Sequence, residues 1–304
     1  MSAELTLAQL VDEYFAQYTG RDDSRPHRLG WWVARLGDRA AASITDDDVF
    51  AALETLATTP ARRYAGRDAD GRRVFRARGD KRSPSTVNRY QVALGALFSW
   101  AIKRRRVPKG FENPCRKIER QAEPRGRVRF LSEAERERLF EACRASSWPR
   151  LYALVLLAIT TGARRGELLA LTWRDVDLEG ARAYVCTTKN DDRRVLPLTP
   201  AAIAELAPFQ GAPAALVFAS PRKSRVAFNF ETVWNAARKE ARLADFRFHD
   251  LRHTCASYLA QQGASLLEIA DVMGHRQLAM TKRYAHLTVN SKASLVNRLL
   301  GEIR

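Results

Sequence analysis

Five residues interrupt this chain within one short span: Pro108, Gly110, Pro114, Pro124 and Gly126. Proline lacks a backbone donor and clashes with the preceding turn, and glycine weakens any regular element, so no helix or strand runs through such a stretch. On either side of it, apolar residues recur with helical spacing. A chain patterned this way folds as two helical units with separate cores, and 304 residues suffice, since domains run to about 100–200 residues. The break predicts a first domain over residues 1–120, a linker over 121–129 and a second domain over 130–304.

In the first half, Leu7, Leu10, Val11, Tyr14, Phe15 and Tyr18 share one helix face, and Thr6 with Gln9 has capping-box spacing. A second helix is expected from Thr45, with Asp48 three residues on and Val49, Leu53 and Leu56 turned inward. From Pro60 to Pro84 the periodicity fails and basic residues accumulate from Arg62 to Arg82. That segment reads as an exposed loop or short hairpin, either merely solvated or in contact with a polyanion backbone. From Ser85 an amphipathic helix carries Val87, Tyr90, Leu94, Leu97 and Phe98 and ends in the basic run Lys103 to Arg106.

The second half opens a helix at Ser132, with Glu135 in capping-box position. One β interruption follows. Ala181 to Thr187 and Arg193 to Leu198 read as strands joined by a Lys189-Asn190-Asp191-Asp192 turn, preceded by a short strand from Val176 to Leu178. Helical pattern resumes at Ala201 and continues with breaks. The expected fold is mainly α with a small antiparallel β-sheet.

Charge narrows the partners. Lys and Arg number 51 against 34 Asp and Glu, a formal net charge of +17, and such an excess points to a polyanion, most often nucleic acid. Cys115, Cys143, Cys186 and Cys255 are scattered without a C-x-x-C pair, which argues against a zinc ribbon and a disulfide framework. Met1 to Thr6 shows no secretory leader pattern, and the longest apolar run, Leu151 to Ile159, is far short of the ~20 residues a bilayer span needs. A cytoplasmic chain without membrane partners is expected.

Several residues could handle a phosphodiester. Guanidinium suits the oxygens of a pentacoordinate phosphorus because it is planar, permanently charged and a multiple donor. Arg164 stands in Thr160-Thr161-Gly162-Ala163-Arg164, where Gly162 allows a sharp turn between two helices. Seen alone it is a surface arginine, with Glu167 a partner or a cap. His249 and Arg252 lie three residues apart, on one helix face, so both can reach one phosphate. His249 and His253 also have the four-residue spacing of a zinc pair, with Asp250 between them. Arg252 would repel a metal there, and that reading leaves Arg164 and Lys189 unused. His275 follows Gly274, the expected C-cap of a helix begun at Ser265, and Tyr284 lies nine residues further on. A phenol has a pKa near 10 and needs help to attack at neutral pH, which nearby cations or a histidine would give.

Taken in order, these stretches resemble the tyrosine recombinase, or phage integrase, family of site-specific recombinases. Thr161 to Asp177 (TGARRGELLALTWRDVD) is similar to the family's first motif box and Phe248 to His275 to its second, while Arg283-Tyr284-Ala285-His286 is similar to its tyrosine segment. Phe130 to Phe140 resembles the start of the family's catalytic domain, and residues 5–110 its helical, SAM-like core-binding domain. The resemblance implies an enzyme that cuts and rejoins DNA. Arg164 and Arg252 would clamp the scissile phosphate, His249 and His275 complete the cradle, and Lys189 protonate the leaving 5′ oxygen. Tyr284 would form a 3′-phosphotyrosyl link. His253 and His286 match positions common in the family and take no role. No cofactor and no metal are implied.

The resemblance further implies a core-binding domain and a catalytic domain that close on double-stranded DNA at the nucleoid. Arg89, Lys103, Arg104, Arg105, Arg125 and Arg127 are the expected DNA-backbone contacts. A tetramer assembles on paired recombination sites, with accessory bending or directionality factors, and Asn290 to Ile303 is a candidate for a helix exchanged between protomers. The core-binding pattern begins almost at Met1, so an arm-binding domain is not expected. That keeps Xer-like resolvases open beside integrases of prophages and mobile elements, which the 60–84 insertion and the His249 to Thr254 wording favour. A non-catalytic DNA-binding relic and a type IB topoisomerase are the rivals outside the family's activity.

Overall fold

A computed structural model describes residues 4–67, 70, 72–77, 79, 81–124, 127–186, 193–275, 277–288, 297 and 301. The chain divides into two compact units, residues 1–125 and 126–304.

The first unit is built from helices α1 (Leu7–Ala16), α2 (Arg25–Leu36), α3 (Asp46–Thr58) and α4 (Pro84–Lys103), with a hairpin of β1 (Arg62–Arg67) and β2 (Arg73–Ala77) between the last two. Local chemistry starts three of these helices. Thr6 and Gln9 form a reciprocal capping box on α1, and Thr45 and Asp48 form one on α3. Ser83 caps α4, whose first residue is Pro84, where a missing N–H costs nothing. The helices close over Leu7, Leu10, Leu29, Trp32, Leu94 and Phe98, all fully buried. Trp32 Nε1 donates to the Tyr90 carbonyl at 3.0 Å, so α2 meets α4 in a fixed register.

The helix α2 was not expected, and the helix from Thr45 is the third rather than the second. Its sequence carries Arg25, Pro26, His27, Arg28 and Gly30, and it buries only Leu29 and Trp32. Two inward residues one turn apart are too short a stripe to read as helical periodicity. The 60–84 segment does form a hairpin. It is antiparallel, pairing Tyr64 with Phe75, and Gly66 (φ 114°) sits where the register shifts.

Three buried amides bind the interrupted stretch to α4. Asn88 donates to the Gln121 carbonyl and to Glu123, both at 2.8 Å, and Gln91 donates to the carbonyls of Cys115 (3.1 Å) and Ile118 (2.8 Å). Asn113 Nδ2 reaches the Gly95 carbonyl at 2.8 Å. Much of the segment read as linker is thus fastened down: 121–123 belong to the first unit, while Arg129 pairs with Glu135 (2.5 Å) in the second.

The second unit contains α5 (Glu133–Arg144), α6 (Leu151–Thr161), α7 (Arg165–Ala170), the strands β3 (Val176–Asp177), β4 (Arg182–Cys186) and β5 (Arg193–Pro197), α8 (Pro200–Leu206), β6 (Ala219–Ser220), β7 (Lys223–Ala227), α9 (Glu231–Glu240), α10 (Asp250–Gln261) and α11 (Leu266–Met273). A 3-10 helix over Lys282–Thr288 follows. Helix α6 is apolar on every side and all but one of its residues are buried, so it forms the centre against which α5, α8 and α10 pack. Strands β3, β4 and β5 form an antiparallel sheet in that order. Ala183, Val185 and Leu196 face the core while Arg182 and Val195 face solvent, the alternation of a half-buried sheet.

The β6–β7 hairpin is a second β interruption where only one was expected. Four of the five β7 residues are exposed, so no period-2 burial pattern marks the strand. Cys115, Cys143 and Cys255 are buried and free. Among the described residues, no helix is long and apolar enough to cross a membrane.

Helix α4 ends with Arg105 in the left-handed region (φ 54°), and the Arg106 N–H reaches back to the Ala101 carbonyl at 2.8 Å. This is a Schellman ending with arginine where glycine is preferred. Arg105→Gly should therefore raise stability by about 1 kcal/mol in urea unfolding, because the Cβ penalty of that conformation is removed and only partly offset by the entropy of glycine. In the same assay Leu94→Ala should cost roughly 2–5 kcal/mol, as the residue is fully buried in the first core.

Candidate active site

The candidate residues of the second unit gather where two helices end. Helix α6 stops at Gly162 (φ 60°) and α11 at Gly274 (φ 60°), both in the left-handed conformation that glycine adopts without penalty. Each ending leaves backbone carbonyls without helical partners. Arg252, in the first turn of α10 and only 5% exposed, fills both gaps: its Nη1 donates to the Gly162 carbonyl and its Nη2 to the Met273 carbonyl at 2.5 Å. A cation at a helix C-terminus also meets the negative end of the helix dipole.

Arg164 is the N-cap residue of α7. Its backbone N–H donates to Glu167 Oε2 at 2.7 Å and its Nη1 to Glu167 Oε1 at 2.8 Å. Its side chain stays 43% exposed, so the guanidinium is oriented without being enclosed. The same Glu167 Oε2 accepts from Arg194 Nη2 at 2.8 Å, and Arg194 Nη1 reaches the Val272 carbonyl at 2.7 Å. Arg194, carried by β5, thereby ties the sheet to the end of α11. Burial alone would push the Glu167 carboxyl up, but the two hydrogen bonds from Arg164 and the charge of Arg194 hold it below the usual range.

His249 occupies the N-cap position of α10 without a side-chain capping bond and is exposed to solvent. His275 is half-buried, with Nδ1 2.8 Å from Thr281 Oγ1 and its N–H on the Ala270 carbonyl at 2.9 Å. Burial lowers the His275 pKa to about 4, helped by the charges of Arg252, Arg164, Arg283 and Arg194. The His249 pKa is also lowered, by desolvation and then Arg252, with Asp250 opposing. These guanidinium groups act on the same imidazoles, so they form one positive field. Arg252 itself is lowered to about 10 by burial and by Arg164 and Arg194, and it remains charged at neutral pH.

Tyr284, on the 3-10 helix Lys282–Thr288, is 1% exposed. Its Oη lies 2.5 Å from Nδ1 of His253, a residue given no role from sequence. Burial raises the phenol to about 12, against the pull of Arg283 and Arg252. Lys189 lies outside the described residues, as do Arg125 and most of Asn290 to Ile303.

The residues expected to contact the DNA backbone fall on both units. Arg89, Lys103, Arg104 and Arg105 are exposed on the first unit, along α4 and at its end. Arg127 is engaged within the second unit, donating to Asp250 Oδ2 at 2.6 Å and to the Asp245 carbonyl at 2.9 Å, and pairing with the Asp245 carboxylate. Its guanidinium fixes the start of α10 rather than standing free for a phosphate. Sequence reasoning passed over Arg194 and His253 as participants. The signals were position for Arg194, two residues past Asp192, and for His253 its place beside Arg252 and four residues from His249.

Two outcomes test this geometry. His253, like His275, has its pKa lowered to about 4, by burial first and then by His249, so both imidazoles are neutral in the fold. The unfolded chain binds the extra protons first, so the stability they confer is full above pH ~6.5 and is lost as pH falls toward 4. Urea midpoints should drop through that window, and a His253→Asn/His275→Asn double variant should show a shallower drop. A Cβ on Gly162 would stand 2.5 Å from Met273 Sδ in a left-handed backbone, so Gly162→Ala should destabilise by about 1–3 kcal/mol in the same titration.

Residues 129–291 match the family model described as the phage integrase family. The shufflon-specific DNA recombinase of Escherichia coli is 35% identical over 210 residues, covering 67% of this chain and 52% of the relative, so the chain spans about half that protein's length. The integrase of Salmonella phage P22 is 26% identical over 289 residues, covering 88% of this chain and 72% of the phage protein. Among solved structures, the Tn1549 transposon integrase in complex with a circular intermediate DNA aligns with a TM-score of 0.72 at 17% identity, over 97% of this chain and 99% of that one. At that identity the likeness is one of fold. From the family-model match over more than half its length, the chain belongs to the phage integrase family.

Proposed function

We propose that this protein is a site-specific tyrosine recombinase that cleaves and rejoins double-stranded DNA through a covalent bond to Tyr284, and that it integrates or excises a mobile element. The observation that carries the reading is the surplus of fixed positive charge around Arg252. Arg164 and Arg194 share one carboxylate, Glu167, Arg252 bonds two backbone carbonyls beside them, and burial together with these cations holds His275 neutral. A fixed cluster of cations with too few anions is built to take one. Such preorganised donors stabilise the charge that develops on phosphorus during attack.

In this mechanism Arg164 and Arg252 hold the non-bridging oxygens of the scissile phosphate, with His249 and His275 beside them. The Tyr284 oxygen attacks phosphorus in line, a 3′-phosphotyrosyl link forms, and the 5′ oxygen leaves with a proton from Lys189. Attack by a 5′ hydroxyl reverses the step and reseals the strand, so neither cofactor nor metal is called for. Tyr284 is buried, so DNA binding has to bring phenol and phosphate together. The exposed cations Arg89, Lys103, Arg104 and Arg105 serve as backbone contacts of the first unit, which acts as the core-binding domain. Four protomers on two sites, with accessory DNA-bending factors, complete the reaction. The DNA-bound relative of the same fold and the integrase of phage P22 support this reading.

A suicide duplex nicked beside a candidate attachment site tests it. In EDTA, wild type should yield a covalent protein–DNA band on a denaturing gel, and Tyr284→Phe should yield none. Arg164→Ala should slow formation of the band by about 10²–10³-fold, the usual effect of removing one donor to a developing charge. Absence of the band on a site the protein binds would leave a binding-only relic. Cleavage that needs added metal would sink the phosphotyrosine mechanism.

A further inference from the structure

His253 has no part in the mechanism above, yet it touches the proposed nucleophile. It lies one residue beyond Arg252 on α10, is 9% exposed, and places Nδ1 2.5 Å from Tyr284 Oη. The pairing joins residues far apart in sequence and is enclosed by protein, so it is a built contact and not a surface encounter. The ring of His249 stands against His253 at right angles, with centroids 5.3 Å apart. The charged groups facing the imidazole are Asp250 and Arg252 from its own helix and Arg283 from the 3-10 helix beside Tyr284. Asp250, the acid among them, is already bonded to Arg127 and to the Arg247 N–H.

This setting keeps the imidazole neutral and leaves one ring nitrogen free to accept. The phenol, for its part, is held protonated by burial. A protonated phenol is a weak nucleophile and must lose its proton as it attacks. We infer that His253 is the general base for Tyr284, its unprotonated Nδ1 taking the phenol proton while Oη bonds to phosphorus. The inference rests on the recombinase reading and assigns a residue that reading leaves idle.

The step balances. The P–Oη bond forms, the P–O5′ bond breaks, and its electron pair goes to the 5′ oxygen, which takes a proton from the general acid. His253 becomes imidazolium, with Nε2–H already in place. The anionic phosphate offsets part of the guanidinium field, so the imidazolium is less disfavoured in the complex than in the free protein. On religation the phenolate leaves and recovers the proton from Nδ1.

Single-turnover cleavage of the nicked duplex, with full-length protein and DNA affinity measured in parallel, tests the assignment. Asparagine at this position can accept the phenol hydrogen bond but cannot take the proton. His253→Asn should therefore bind DNA like wild type and form the covalent complex about 10²-fold more slowly at pH 7. Its rate should keep rising with pH where the wild-type rate has reached a plateau. On a 5′-bridging phosphorothiolate duplex the leaving sulfur needs no proton, so the Lys189→Ala defect should be relieved and the His253→Asn defect should persist. His253→Asn cleaving as fast as wild type would reduce His253 to a positioning residue. His253→Phe cleaving faster than wild type would make the contact a restraint on Tyr284. Either result overturns the assignment while leaving the covalent mechanism intact, whereas no covalent complex from wild type would remove both.

Discussion

Arg252 bonds two helix ends at once, and the candidate site depends on that contact. The carbonyls of Gly162 and Met273 arrive at its guanidinium from α6 and α11, and α10 supplies the side chain. Taking a charged arginine out of water costs several kcal/mol unless its donors are met. Here backbone oxygens meet two of them, at helix ends whose dipoles favour a cation. The group that would bind phosphate is therefore also the group that joins three helices, so its direction is fixed before any ligand arrives.

The same contact explains the electrostatics. With Arg252 held in place, Arg164 and Arg194 converge on Glu167, and the single carboxylate orients both without neutralising the cluster. Burial first and then the surplus depress the neighbouring histidines, and burial raises Tyr284. Each shift leaves a group in its uncharged form. Imidazole and phenol thus sit side by side as acceptor and donor, which is the state a proton transfer starts from.

Local chemistry made much of the fold legible. Capping boxes at Thr6, Thr45, Ser132 and Ser265 are satisfied within four residues, and the antiparallel pairing of β4 with β5 follows from the alternation of their residues. Where the signal depends on distant partners, it fails. Helix α2 buries too few residues to show a period, and β7 lies exposed against a two-residue partner. Arg127 reads as a free cation in a basic stretch, yet its partners Asp245 and Asp250 stand more than a hundred residues away.

The sequence by itself determined the helical character of the chain, the interruption that separates two cores, the positive charge and the residue types gathered around the motifs, since all of these rest on spacing and composition. Only the tertiary structure decided what those residues touch. It enclosed Arg252 between two helix ends, set Arg194 on Glu167 and brought His253 to Tyr284, which lies 31 positions away. Hydrogen-bond geometry is fixed to within a few tenths of an ångström by the packing of whole elements. No local pattern specifies that distance, and the chemistry of the site turns on it.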